Sequence, residues 1–127
     1  ALPLLGDTGG SVAVTASNAG LKPLELDPVY AMTKHAVIGL VRSLAGPLAG
    51  RGVRIAAVCP GGVDTPLVAP DLRGGDRTFA PPEHVAEVIE TVLDKPASES
   101  GGIWITRGLD PVWRYEFRSP DEPPAAS

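Results

Sequence analysis

Three short runs of apolar, largely β-branched residues punctuate the chain: Ser11–Thr15 (SVAVT), Val53–Val58 (VRIAAV) and Gly102–Thr106 (GIWIT). Continuous apolar character, rather than alternation with polar residues, predicts parallel strands buried on both faces. Between the first two runs, Val29, Met32, Val37, Leu40, Val41, Leu44 and Leu48 recur at helical spacing and predict a long helix over Val29–Gly50. Pro47 lacks an amide and crowds the carbonyl of Ser43, so a kink or a frayed last turn is expected. Gly50 and Gly52 supply helix-stop chemistry. A second helix is expected from Pro82, well placed in a first turn with Glu83 at the positive end of the dipole, to about Asp94. Ala1–Gly6 reads as the tail of a helix whose beginning is missing, and Asp7–Gly10 as a turn. The glycine-rich stretch Ala69–Thr78 is expected to be mobile, and residues 119–127, rich in Pro, Glu and Ala, to be a disordered tail.

Strand, helix, strand, helix, strand is the order of a doubly wound α/β fold. A whole open sheet of this kind has about six strands, and three are supplied here. The first would present a bare edge. The chain begins with Ala1 rather than Met, so its start reads as internal to a longer protein or processed. At 127 residues with 43% apolar content, one small packed domain is within reach.

Net charge narrows the function classes. A formal charge of -4 and a pI near 5.0 argue against a nucleic-acid partner. No apolar run approaches the ~18 residues that span a bilayer, so no membrane partner is expected. Cys59 is the lone cysteine; an internal disulfide is impossible, and a cytoplasmic location is expected. Cys59 reads as a small core residue rather than a nucleophile. His35 and His84 read as solvated helix residues without ligand spacing, so no metal is expected.

The chemistry-bearing residues gather at one end of the predicted sheet. Tyr30 and Lys34, four residues apart, share one face of the long helix. An ammonium about 5 Å from a phenolate, at an effective dielectric of about 20, favours the ionised phenol by roughly 3 kcal/mol, which suits a general acid/base. Ser17 lies thirteen residues before Tyr30, just past the first strand, and Pro60–Thr65 follows the second. In open parallel sheets, ligands sit at these carboxyl ends of the strands.

Thr15–Leu21 (TASNAGL), Tyr30–Lys34 (YAMTK) and Ala57–Pro66 (AVCPGGVDTP) together resemble the short-chain dehydrogenase/reductase family, in its compact single-domain branch, over about Ala1–Thr106. The resemblance implies an NAD(P)-dependent oxidoreductase that moves a hydride between a nicotinamide cofactor, NAD or NADP, and a small carbonyl or alcohol substrate. It makes Tyr30 the acid/base. Lys34 assists it and binds the nicotinamide ribose, while Ser17 polarises the substrate oxygen. Pro60, Gly61, Val63 and Thr65 would surround the nicotinamide. Residues 1–118 would then be the C-terminal half of such a domain. The family's glycine-rich pyrophosphate loop is missing, because Gly9-Gly10 precedes a strand instead of opening a helix. Its active-site asparagine and the residue that chooses between NAD and NADP are missing too, so the isolated chain is expected to bind cofactor poorly and to be inactive. Arg107-Gly108-Leu109-Asp110-Pro111 stands where the family shows a glycine turn with an aspartate, and an aromatic extension follows it.

Two rivals are a non-catalytic binding or pairing module derived from such an enzyme, and an extended-branch sugar-nucleotide epimerase or dehydratase; Ala57–Pro66 argues against the latter. Family members generally pair through the tyrosine-bearing helix. A homo-oligomer is therefore expected through helix 29–50, with Val37, Leu40, Val41, Leu44 and Leu48 forming a stripe wider than the sheet needs and Gly39 permitting close approach. Trp104, Trp113, Tyr115 and Phe117 are expected to pack on this same domain.

Overall fold

The computed structural model describes residues 2–73 and 78–123. Helix α1 (Leu2–Thr8) leads into strand β1 (Gly10–Thr15), helix α2 (Pro28–Ala49), strand β2 (Val53–Pro60), helix α3 (Pro82–Leu93), strand β3 (Ile103–Thr106) and strand β4 (Trp113–Arg114). Short 3-10 turns fall at Asn18–Gly20, Pro70–Leu72 and Ala97–Glu99. The sheet order is β1-β2-β3-β4. Gly10–Thr15 pair in parallel with Val53–Val58, and Ala57–Pro60 with Ile103–Thr106. β4 returns antiparallel, Trp104 facing Arg114 and Ile105 facing Trp113.

β2 is the spine of the fold. Side chains of a strand alternate between faces, and here each face has its own helix. Val53, Ile55, Ala57 and Cys59 join Ile38, Val41 and Leu48 of α2 in one core. Ala56 and Val58 join Val88 and Val92 of α3, with Trp104 of β3, in the other. The result is a three-layer α/β/α fragment of a Rossmann-like sheet. The continuous apolar run of β2 follows from the need to fill both layers. β1 is only half-buried along most of its length, because it pairs on one side alone.

Several boundaries differ from expectation. α1 continues through Asp7 and Thr8, where a turn was expected. Thr8 donates its hydroxyl to the Leu4 carbonyl at 3.3 Å, and Gly9, at φ +75°, ends the helix. α2 runs through Pro47 to Ala49 without a break in helical assignment. Leu48 is buried in the core, holding the last turn down, while exposed Ser43 leaves its carbonyl within reach of water. β4 was not foreseen. Gly108 takes φ +54°, the chain reverses, and the Tyr115 amide donates to the Ile103 carbonyl at 2.8 Å. Tyr115 packs on the α2-side core, Phe117 meets it edge-on at 4.8 Å, and the Arg42 guanidinium lies 3.8 Å over the Phe117 ring. The aromatic extension thus lies on this domain. Of the stretch Ala69–Thr78 expected to be mobile, Pro70–Leu72 form a 3-10 turn and residues 74–77 lie outside the described residues, as do residues 124–127 of the expected tail. Among the described residues, no helix is long and apolar enough to cross a membrane.

The expected outward stripe of α2 is also corrected. Val41 and Leu48 are buried, and Val37 and Leu44 pack against the same core. Of that set only Leu40 faces out, at 58% exposure. The apolar surface that remains open is Val29, Met32 and Leu40, beside Gly39 and Gly46, each of which has open space where a Cβ would stand.

This division of α2 predicts a sharp contrast in urea unfolding. Ile38→Ala, at 3% exposure, is expected to cost about 2–5 kcal/mol. Leu40→Ala is expected to stay within about 0.5 kcal/mol of the parent chain; comparable losses for the two would contradict the assignment of faces.

Candidate active site

β1 and β2 both end at one edge of the sheet, and the loops leaving them wall a cleft of about 740 Å³. Ser17 stands in extended backbone (φ -170°, ψ 157°) just past β1 and caps the turn Asn18–Gly20, its hydroxyl oxygen accepting from the Ala19 amide at 3.1 Å. Asp27 caps α2 by accepting from the Tyr30 amide at 2.9 Å. This fixes the helix start, with Pro28 at N1, so that Tyr30 falls in the first turn beside the strand ends. Tyr30 is 37% exposed and lines the cleft with Ser17. The Lys34 ammonium lies 5.5 Å from the Tyr30 ring centroid, over its face, as the one-turn spacing requires.

A glycine brings these pieces together. A Cβ on Gly20 would stand 2.7 Å from the Lys34 carbonyl oxygen and 2.6 Å from Ile38 Cδ1. The Ser17 loop can therefore lie directly on the second turn of α2 only because position 20 has no side chain. Beneath the loop, Cys59 is fully buried. Burial pushes its thiol up to about 11, against smaller opposing effects of the Ser17 backbone and the Lys34 ammonium. A thiol so held is protonated at neutral pH and acts as core.

Pro60 and Gly61 also line the cleft. The Gly61 amide donates to the Thr106 carbonyl at 2.8 Å, tying the end of β2 to that of β3. Val63 and Thr65 do not reach the lining. Val63 bridges to Ala80, and the Thr65 carbonyl accepts from Arg73. Arg73 also donates to Asp64 at 2.8 Å and to the Val68 carbonyl at 3.1 Å. Asp64 thus serves the loop. Lys34, its ammonium over the Tyr30 ring, is not among the residues that line the cleft. His84 differs from expectation, with Nε2 shut off from solvent and unpartnered in the described structure.

Sequence reasoning missed part of the wall: Asn18, Lys22, Phe79, Arg107 and Asp110. Arg107 was locatable, since it follows β3 at the same sheet edge as Ser17 and Pro60. Phe79 was not, because it reaches the site from the loop before α3. One polar side chain of the wall, Asn18, stands beside Gly61. Its Oδ1 is buried and without a partner among the described residues, which is costly unless a ligand or water serves it. A Cβ on Gly61 would come within 3.4 Å of Asn18 Nδ2 and 3.5 Å of Arg107 Cγ, so glycine keeps a narrow gap open there. These features fit the nicotinamide end of a dinucleotide.

Residues 1–74 match the family described as short chain dehydrogenase. The chain is 41% identical over 92 residues to cis-2,3-dihydrobiphenyl-2,3-diol dehydrogenase of Pseudomonas sp. (strain KKS102), covering 72% of this chain and 33% of that protein. It is 45% identical over 65 residues to the NAD(+) 15-hydroxyprostaglandin dehydrogenase of Mus musculus, covering 50% and 24%. Among solved structures, 3-hydroxyacyl-CoA dehydrogenase type-2 from Mycobacterium avium superposes with a TM-score of 0.66 at 23% identity, over 80% of this chain and 43% of that one; this likeness speaks to the fold alone. The chain spans about a third of the length of the first of these relatives.

Gly20→Ala is expected to destabilise the chain by about 1–3 kcal/mol, since backbone as well as side-chain atoms must move, and to shift the amide resonances of Ser17 and Lys34. Unchanged stability and unchanged resonances would remove Gly20 from the account of the site.

Proposed function

Since the chain belongs to the short chain dehydrogenase family, we propose that it carries the catalytic part of an NAD(P)-dependent oxidoreductase that interconverts a carbonyl and an alcohol. The observation that carries this reading is the placement of Ser17 and Tyr30 on one cleft, with the Lys34 ammonium 5.5 Å from the Tyr30 ring centroid. In the reducing direction, Ser17 donates a hydrogen bond to the carbonyl oxygen and polarises it. Tyr30 gives that oxygen its proton as the carbon accepts a hydride, and takes the proton back in the oxidising direction. Lys34 stabilises the phenolate that remains and holds the nicotinamide ribose. Pro60 and Gly61 form the wall against the nicotinamide, with Val63 and Thr65 on the loop behind it. The nicotinamide, when bound, supplies or accepts the hydride. The relatives named above are dehydrogenases of small molecules by their names, in keeping with a small alcohol or ketone substrate. Among the described residues, no short glycine-rich turn carries a strand directly into a helix, so we propose that the pyrophosphate cradle is supplied by other residues.

We also propose that the outward face of α2, Val29, Met32 and Leu40 with Gly39 and Gly46, pairs with the same face of a second copy. Three exposed apolar side chains beside two glycines permit close helix approach, and no charge interrupts that set of positions.

On the complete gene product, Tyr30→Phe is expected to lower turnover by at least about a hundredfold with cofactor affinity little changed, because the ring is kept and the proton is lost. Lys34→Ala is expected to reduce both. Retention of most of the rate by Tyr30→Phe would overturn the assignment. For the pairing face, light scattering over a concentration series is expected to show the 127-residue chain self-associating and Leu40→Glu weakening it. A monodisperse monomer at high concentration, indistinguishable from Leu40→Glu, would contradict the contact.

A further inference from the structure

The chain has more acidic than basic residues, 15 Asp and Glu against 11 Lys and Arg. The cleft reverses that balance. Its charged lining residues are Lys22, Arg107 and Asp110, and the Lys34 ammonium lies over the ring of Tyr30, itself a lining residue. Lys22 has no ion-pair partner among the described residues. Arg107 is only partly engaged. Its Nε and Nη2 both donate to the same Asp110 oxygen, each at 3.2 Å, longer than the roughly 2.7–2.9 Å of a strong charge-assisted bond. The second Asp110 oxygen takes no bond from it, and Nη1 is left without a partner among the described residues. The stem of Arg107 lies beside Gly61, its Cγ 3.5 Å from where a Cβ would stand there, and its side chain is 68% exposed. The guanidinium therefore reaches the cleft from the strand end beside Pro60, open to solvent and to an incoming anion.

We infer that Lys22 and Arg107 select an anionic substrate, a hydroxy acid or keto acid whose carboxylate they bind while Ser17 and Tyr30 hold the oxygen that reacts. This rests on the proposed oxidoreductase reading and adds the substrate class to it. Arg107 presents a planar fork matched to a carboxylate. Lys22 enters from the loop before α2, so the two cations approach the cleft from separate segments. A carboxylate between them is bound at one end and leaves its hydroxyl or carbonyl carbon free to reach Ser17 and Tyr30. Asp110 acts as a place-holder that a carboxylate displaces or shares, which keeps Arg107 oriented when the cleft is empty of anion. A neutral alcohol gains none of these contacts.

The test uses a matched pair of probes, 3-hydroxybutyrate and its neutral amide 3-hydroxybutanamide, titrated into the isotopically labelled 127-residue chain at low salt and followed by amide NMR. The acid is expected to bind about tenfold more tightly than the amide, moving the Ser17 and Tyr30 signals, with the preference shrinking as salt is added. Lys22→Gln and Arg107→Gln should each reduce the preference, and the double variant should abolish it. If Arg107→Gln does not fold, Lys22→Gln alone decides by the same ratio. Equal affinity for acid and amide at Ser17 and Tyr30 would overturn the inference while leaving the oxidoreductase reading intact, as would a preference that survives in the variants. If neither probe moves those signals, the inference is overturned, and the oxidoreductase reading still rests on the Tyr30→Phe rate.

Discussion

Burial of β2 on both faces is the constraint from which the rest of the structure follows. Ala57, Val58 and Cys59 are wholly inaccessible to solvent, and consecutive side chains on that strand belong to different layers. One layer needs an apolar helix stripe, which Ile38, Val41 and Leu48 of α2 supply; the other needs a second, which Val88 and Val92 of α3 supply. Each such side chain contributes roughly 1.5–3 kcal/mol on burial. Sliding α2 along the sheet, or rotating it, would expose several of them at once. The helix is therefore locked in one register, and that register puts its first turn, with Tyr30, at the carboxyl ends of the strands.

The same packing explains why the site needs so few dedicated residues. Asp27 ends the loop and starts the helix, Gly20 lets the Ser17 turn rest on the Lys34 carbonyl, and the Gly61 amide ties β2 to β3. Neither Asp27 nor Gly20 is assigned a chemical role, yet each decides where a proposed site residue stands. Cys59 lies under the Ser17 turn in the same spirit. Its buried thiol, held up to about 11, stays protonated and uncharged near the Lys34 ammonium.

Much of this was legible in the residues, and the exceptions have physical causes. The three parallel strands announced themselves because burial on both faces leaves unbroken apolar runs. Ser17, Tyr30 and Lys34 were findable because strand ends and helix spacing fix their places locally. The role of the α2 side chains was misread because periodicity reports that a stripe is apolar, not how much of it one sheet face occupies; Val37 and Leu44 proved to belong to the core. β4 was hidden in a two-residue pairing that depends on a long-range partner, Trp104–Ile105, rather than on local propensity. The family resemblance placed Val63 and Thr65 around the nicotinamide, and in the structure they stand off the cleft lining. The chain instead turns away at Gly62 to pair with Ala80, and Phe79 and Arg107 come in from distant segments to complete the cleft.

The central claim is that residues from β1, α2 and β2 build the nicotinamide side of a redox site at one edge of this sheet. Amide NMR of the 127-residue chain titrated with reduced nicotinamide mononucleotide tests it most directly, since that probe lacks the adenylate half, for which the described residues offer no cradle. The account predicts weak, saturable shifts concentrated at Ser17, Tyr30 and Gly61. Shifts clustered instead at the opposite strand ends, around Gly9 and Gly52, or no shifts at all, would contradict it.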